Sequence, residues 1–367
     1  MTKSKIKSVC ILVDCLTGGG AEKAASLVSK SFHEANFHVS IIAMQGEIDY
    51  DFKGDLYDLS GIFHKIPFFK SLKKMFVLKK TWNKINADFY LDFRIKSNSF
   101  RELMFHFFIY DIKKTVLTIH SSRIHNYMPR HILFYKLYNR AKSVVVVSEG
   151  IYDATKRLFD FDNLEYIPNF YDSDIFLKSE ESIQPLNGKY IIAVGRLKNE
   201  VKQFDKLILA YKDSLPAKKG IPLFILGRGK DKEVLEEIIL KNNLSNIVKL
   251  LGFKNNPYPY IKSSQFLLLS SKLEGFGIVL IEALALGVPV ISFDCKVGPS
   301  EIIQDKKNGI LVKDQDFIAL KTAIDNMYSD KELYAICKEN SKSSVEKYSD
   351  KEVLKTWVKL LNSSSSK

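Results

Sequence analysis

Short apolar runs, each closed by glycine or polar residues and followed by a helical stripe, recur along this chain. Val9 to Val13 leads into Thr17-Gly18-Gly19-Gly20, and Ala21, Ala24, Ala25, Leu27 and Val28 then keep helical spacing. His38 to Ala43, Asp88 to Phe93, Val116 to Ile119 and Val144 to Val147 repeat the theme, the last two closed by His120-Ser121-Ser122 and Ser148-Glu149-Gly150. Residues 171–188 are polar and irregular, and the alternation then restarts at Tyr190 to Val194, Leu223 to Leu226, Val248 to Leu251 and Gln265 to Leu269. Fully apolar strands alternating with helices predict an α/β chain with two doubly wound parallel sheets. The expected domains are 1–170, a linker over 171–188, and 189–345. Residues 346–367 are expected to hold a last helix that returns to the first domain, then a disordered Ser-rich tail.

In a parallel sheet the carboxyl ends of all strands share one edge, and ligands bind there. Four strands of the second half end in chemistry: Gly195-Arg196, Gly227-Arg228-Gly229, Gly252-Phe253, and Ser270 through Gly277. The last opens a helix whose apolar residues are Ile278, Ile281, Leu284 and Ala285. A helix N-terminus offers free N–H groups and partial positive charge to a phosphate, and Gly275 and Gly277 allow a close approach. Glu274, just before the turn, can reach hydroxyls. Glu282 lies about two turns further on. Arg196 and Lys202 are the nearby cations, the first suited to bidentate grip on phosphate oxygens. In the first half His120, at a strand end, is the residue best placed for work near a reacting centre. The bland alternatives are a first-turn Glu that only compensates the helix dipole, and cations that are merely solvated.

Several chemistries find no support. No Gly-Lys-Ser/Thr closes the Gly18–Gly20 turn, no GxGxxG follows a strand, and Cys10, Cys15, Cys295 and Cys337 form no CxxC. Asp172-Ser173-Asp174 lies in the linker and reads as a turn rather than a metal-holding DxD. The net charge of +13 points to an acidic partner. Residues 1–170 carry 25 basic and 17 acidic side chains (+8), and residues 171–367 carry 30 and 25 (+5). Phe63 to Ile85 holds seven lysines and no acid, with Phe69, Leu72 and Phe76 spaced for one helix face. Residues 64–84 thus read either as a basic surface on anionic lipid or as a helix packed on the sheet with solvated lysines. No signal peptide and no membrane span is expected, so the chain reads as cytoplasmic, with a peripheral place on the inner membrane face open to it.

These pieces resemble, in order, the GT-B glycosyltransferases of family 4, the retaining group 1 enzymes. The matching residues are Gly18-Gly19-Gly20-Ala21-Glu22-Lys23, Thr118-Ile119-His120, Val146-Val147-Ser148-Glu149 and Ile167-Pro168-Asn169. They continue with Val194-Gly195-Arg196-Leu197, Lys202, Leu226-Gly227-Arg228-Gly229, Leu251-Gly252-Phe253, the E-x7-E element from Glu274 to Glu282, and Gly298-Pro299-Ser300-Glu301. The resemblance implies two Rossmann-like domains facing a cleft, and a UDP-sugar donor. It implies that Arg196 and Lys202 bind the donor diphosphate, with Gly19 and Gly20 approaching it and Gly227 at the donor site. Glu274 would hold hydroxyls of the transferred sugar, with Phe276, Gly277 and Ile278 near sugar and phosphate through their backbone. Glu282 would bind ribose, Gly252 and Phe253 would lie near the base, and His120 beside the reacting carbon. No obligatory metal or other cofactor is implied. The acceptor is expected to be a lipid-linked oligosaccharide, lipopolysaccharide or capsule glycan. Gln203 departs from the family, where Gly commonly follows the Lys. The competing readings are a sugar-nucleotide epimerase and a basic nucleic-acid-binding protein. The second lacks aromatics interleaved with its cations.

Overall fold

A computed structural model describes residues 7–61, 71–181 and 188–363. The chain divides into two compact units, residues 1–169 with 350–367, and residues 170–349.

The first unit holds β1 (Ser8–Val13), β2 (His38–Ala43), β3 (Asp55–Asp58), β4 (Phe89–Asp92), β5 (Thr115–Ile119), β6 (Ser143–Val146) and β7 (Leu164–Tyr166). All pairings are parallel, in the order β3-β2-β1-β4-β5-β6-β7. The winding reverses between β1 and β4, which makes the carboxyl ends of those two strands the switch point. β3 and β7 escape the sequence reading. Both are short edge strands, Asp-Leu-Tyr-Asp and Leu-Glu-Tyr, with too few apolar residues to stand out from a turn-rich stretch.

The second unit holds β8 (Ile191–Val194), β9 (Leu223–Leu226), β10 (Val248–Gly252), β11 (Leu267–Leu269), β12 (Val290–Asp294) and β13 (Gly309–Lys313). They pair in parallel as β10-β9-β8-β11-β12-β13, with the switch point between β8 and β11. The helix Phe204–Lys212 buries Phe204, Leu207, Ile208 and Tyr211 on this sheet beside Ile225, Leu268 and Ile291. Burial of such side chains is the main stabilising term, at about 1.5–3 kcal/mol each.

Two sequence expectations need correction. Residues 170–181 are built into the second unit rather than forming a free linker: the Tyr171 N–H donates to the Tyr348 carbonyl at 3.0 Å, and Ile175–Lys178 is a helical turn. Asp172-Ser173-Asp174 is a turn, its Asp172 Oδ1 accepting from the Asp174 N–H at 3.0 Å. Residues 182–187 lie outside the described residues. The apolar stripe of the lysine-rich segment is also different. Phe69 lies outside the described residues, and Phe76 is 71% exposed. The helix Ser71–Ile85 instead buries Leu78 and Trp82, Trp82 stacking on Tyr90 at 3.8 Å.

The last helix, Asp350–Asn362, buries Val353, Trp357 and Leu361 at spacings of four. It packs on the helix Gly20–Glu34 that follows β1, with Trp357 edge-on to the fully buried Phe32 at 6.4 Å. Of Ser363 to Ser366, read as a disordered tail, Ser363 ends this helix, its N–H donating to the Lys359 carbonyl at 3.0 Å, and the other three lie outside the described residues. Truncating Trp357→Ala should cost about 3–5 kcal/mol of the first unit's stability. Urea unfolding followed by tryptophan-independent circular dichroism measures it; a loss under about 1 kcal/mol would mean that this helix is only loosely docked.

Candidate donor and acceptor sites

In the second unit the switch point gathers the predicted cation and carboxylate. β8 ends in Val194-Gly195-Arg196, and the neighbouring β11 ends in Ser270-Ser271 before the turn to Glu274. Lys202 runs alongside Gly195, and its Nζ meets Glu274 Oε1 at 2.6 Å, both side chains still partly exposed. The short helix Asn199–Lys202 that carries the lysine is fastened by two bonds to the segment that follows β11. Ser270 Oγ donates to the Lys202 carbonyl at 2.7 Å, and the Lys272 N–H to the Val201 carbonyl at 2.8 Å.

Gln203 follows with φ +52°, in the left-handed region that glycine enters at no steric cost. The family's usual Gly is thus a backbone requirement that this chain meets with a glutamine, whose buried amide lies 2.8 Å from that of Gln315. Gly227 shows the tightest backbone approach: a Cβ there would lie 1.8 Å from the Gly195 carbonyl oxygen. Its N–H donates to the Gly252 carbonyl at 2.9 Å, so three of the four predicted strand ends are stitched edge to edge.

The helix Ile278–Ala285 starts at Gly277 without a side-chain cap. Phe276 is a core residue, packed edge-on against Tyr348 at 5.2 Å, so only its backbone can face a ligand. Ile278 is likewise buried. Glu282 is 2% exposed and accepts from the Tyr258 hydroxyl at 3.1 Å, deeper than its reading as a ribose ligand suggests. Arg196 is exposed, and Arg228 covers one face of Phe253 at 4.8 Å from the ring centre. Ser271, read only as the end of a strand, has a buried hydroxyl with no hydrogen-bond partner.

In the first unit the Gly18–Gly20 turn opens the 15-residue helix Gly20–Glu34 at the carboxyl end of β1. Gly19 is the extended N-cap, and a Cβ at Gly20 would meet no protein atom. His120 stands at the end of β5, its ring stacked on Phe93 at 4.9 Å and tilted against Tyr127 at 6.0 Å. Both ring nitrogens are shielded from solvent and without a hydrogen-bond partner, as are Ser122 Oγ, two residues further on, and Asp14 Oδ1 at the end of β1.

Behind them lies a charge network that the sequence reading missed. Arg94 bonds Asp92 at 2.7 Å and Glu102 at 3.2 Å, with all three buried, and its guanidinium sits 3.5 Å from the centre of the Phe105 ring. Lys96, also buried, donates to the Arg94 carbonyl at 2.8 Å. Burial alone would raise the Asp92 carboxyl, but Arg94 and Lys96 outweigh it and hold it low. The available signal was Arg94 and Lys96 following directly on an apolar strand. Among the described residues no group of His, Cys, Asp and Glu could hold a metal ion, and the four cysteines are free.

Two family models match the chain: "Glycosyltransferase Family 4" over residues 18–175 and "Glycosyl transferases group 1" over residues 174–344. An uncharacterised glycosyltransferase of Methanocaldococcus jannaschii is 34% identical over 192 residues, 48% of this chain and 46% of that protein. The N-acetylgalactosamine-N,N'-diacetylbacillosaminyl-diphospho-undecaprenol 4-alpha-N-acetylgalactosaminyltransferase of Campylobacter jejuni is 31% identical over 239 residues, 64% of each chain. The chain thus spans about half the length of the first relative and just under two thirds of the second. Among solved structures, Anabaena HepE in complex with UDP and glucose superposes with a TM-score of 0.77 at 17% identity, over 97% of this chain and 99% of that one. The shared fold is GT-B.

Burial, and then the Lys96 cation, draw His120 down from its ordinary 6.5 to about 3. The unfolded chain takes up a proton there as pH falls through 6.5, and the folded chain does not until near 3. Stability present above 6.5 is therefore lost across that window. Urea unfolding of the wild type and His120→Asn between about pH 7 and 4 should show the steeper loss in the wild type. Parallel losses would mean that His120 ionises freely in the fold.

Proposed function

The chain belongs to the group 1 glycosyltransferases, and from that premise we propose that it moves a hexose or N-acetylhexosamine from a UDP-sugar to a lipid-linked oligosaccharide or a related surface glycan, at the inner face of the cytoplasmic membrane. The observation that carries this reading is the 2.6 Å contact of Lys202 with Glu274 at the switch point of the second sheet. A cation for a phosphate and a carboxylate for sugar hydroxyls stand side by side, which is what a sugar joined to a diphosphate requires. The reading also draws on the Campylobacter relative, named for transfer onto a diphospho-undecaprenol-linked sugar, and on the UDP in the Anabaena complex.

In this reading Arg196 and Lys202 stabilise the diphosphate as the anomeric C–O bond breaks, with main-chain amides at Gly277 and Ile278 adding positive potential. Glu274 fixes the donor sugar. Glu282, oriented by Tyr258, meets the ribose, while Gly252 and Phe253 border the base and Gly227 keeps the strand ends close. In the first unit His120 keeps a neutral imidazole suited to a sugar hydroxyl, and the Gly19-Gly20 turn opens a helix whose first amides can meet an anion. No divalent metal is needed for leaving-group stabilisation, and the anomeric configuration is retained, as in the family.

Glu274→Ala should lower turnover by about 100-fold or more while UDP still raises the melting temperature. Loss of that thermal shift would place Glu274 on the nucleotide instead. Activity should survive exhaustive EDTA treatment, and a loss rescued by added metal would overturn the metal-free part. A shift with GDP and none with UDP would overturn the donor.

A further inference from the structure

Lys202, the cation at the switch point of the second sheet, is followed by a residue whose backbone is in an unfavourable state. Gln203 takes φ +52° and ψ +40°, and a side chain with a Cβ is disfavoured in that left-handed region. The local path needs the turn. The Gln203 N–H donates to the Asn199 carbonyl at 3.1 Å and closes the helix Asn199–Lys202. Its carbonyl accepts from the Leu207 N–H at 3.0 Å and opens the helix Phe204–Lys212. One left-handed residue thus separates two helices and sets the direction in which Lys202 leaves the backbone.

The side chain of Gln203 anchors this turn. It is 4% exposed, and its amide is turned so that each end meets a complementary partner. The nitrogen donates to the Ser270 carbonyl at 3.2 Å and to Gln315 Oε1 at 3.0 Å, and the oxygen accepts from Lys206 Nζ at 3.2 Å. Gln315 comes from the loop between β13 and the helix Phe317–Ser329, and that loop is itself fixed. The Gln315 amide nitrogen donates to Asp314 Oδ1 at 3.1 Å, which leaves its oxygen for Gln203. Asp316 Oδ1 caps the following helix by accepting from the Ala319 N–H at 2.9 Å, and Lys206 crosses the Phe317 ring at 5.4 Å. Ser270 is gripped twice, because its hydroxyl also donates to the Lys202 carbonyl at 2.7 Å. A buried amide deprived of such partners is left unsatisfied, since water does not reach it. The anchored side chain therefore offsets the cost of the turn. It does so next to Lys202, whose stem packs along Gly195 and whose ammonium meets Glu274.

We propose that Gln203 and Gln315 are positioning residues, whose paired amides hold the left-handed turn that keeps Lys202 beside Glu274. The proposal rests on reading Lys202 as the cation that meets the donor diphosphate. It commits to a cause that packing alone does not share: position 203 needs either no Cβ or an anchored amide. Glycine meets the first condition and glutamine the second, whereas alanine meets neither.

The test is calorimetric titration of the full chain with UDP. Gln203→Ala should weaken binding by about 10-fold. Gln203→Gly should stay within about 2-fold of the wild type, although its freer unfolded chain lowers the melting temperature. Gln315→Ala should weaken binding by about 3- to 10-fold in the wild-type background. In the Gln203→Gly background it should change nothing, because no amide remains to be held. Unchanged affinity in Gln203→Ala, a Gln203→Gly variant as weak as Gln203→Ala, or the same loss from Gln315→Ala in both backgrounds would overturn the proposal. Should Gln203→Ala not fold, Gln315→Ala in the two backgrounds carries the test by itself. Lys202→Ala reads the donor assignment separately, and unchanged UDP binding there would remove that reading. Ligand-free crystal structures then read the positioning alone. Lys202 and Glu274 should touch in the wild type and in Gln203→Gly, and stand apart in Gln315→Ala. A contact kept in Gln315→Ala would overturn the proposal whatever UDP does.

Discussion

The second unit depends on holding a four-residue helix in place. Asn199–Lys202 is far too short to persist by its own backbone bonds. It exists because Ser270 and the Lys272 amide grip its last carbonyls and because Gln203 turns the chain left-handed directly after it. That arrangement delivers the Lys202 ammonium to Glu274. The same strand ends are drawn together by backbone contact at Gly227, which leaves no room for a side chain. Sheet packing, turn chemistry and one ion pair are therefore a single construction. The ion pair contributes little stability where solvent still reaches it. Its worth is that a cation and a carboxylate are already ordered before any ligand arrives.

The first unit handles charge in the opposite way. Asp92, Arg94, Lys96 and Glu102 are fully enclosed, beyond any direct role with a ligand. Buried ion pairs seldom improve on a well-packed apolar core, so their retention is better explained by geometry than by stability. The network pins the segment after β4, which carries Phe93, the ring on which His120 stacks. It also places a cation behind Tyr127, Lys96 Nζ lying 5.3 Å from that ring's centre. An imidazole facing this cation from a dry pocket stays neutral and keeps one nitrogen as acceptor and one as donor. Asp14, bonded through Oδ2 to the Ile95 amide, ties the end of β1 to the same segment.

The buried strands could be read from the sequence because both of their faces are covered, so apolar residues run on without a break. Edge strands such as β3 and β7 could not, since one side is bare and their composition matches that of loops. The helical stripe of 71–85 was misplaced for a related reason. Phe76 has helical spacing to residues before it, yet the core takes Leu78 and Trp82, a choice set by where Tyr90 of β4 lies. At the switch point of the second sheet the meeting of Lys202 with Glu274 could be anticipated because glycine, cation and carboxylate residues close strands that share one sheet edge. Burial was not legible: Glu282 is the same residue type as Glu274 and differs in depth, and depth is a tertiary property.

The excess of positive charge is not accounted for by phosphate binding. Arg196 and Lys202, the cations proposed for a diphosphate, both lie in the less basic half of the chain. More of the surplus sits in the first half, which also exposes Phe100, Phe107 and Phe108. Hydrophobic periodicity could not reveal those rings, because Phe107 and Phe108 fall in a π-turn that keeps neither a helical nor a strand period.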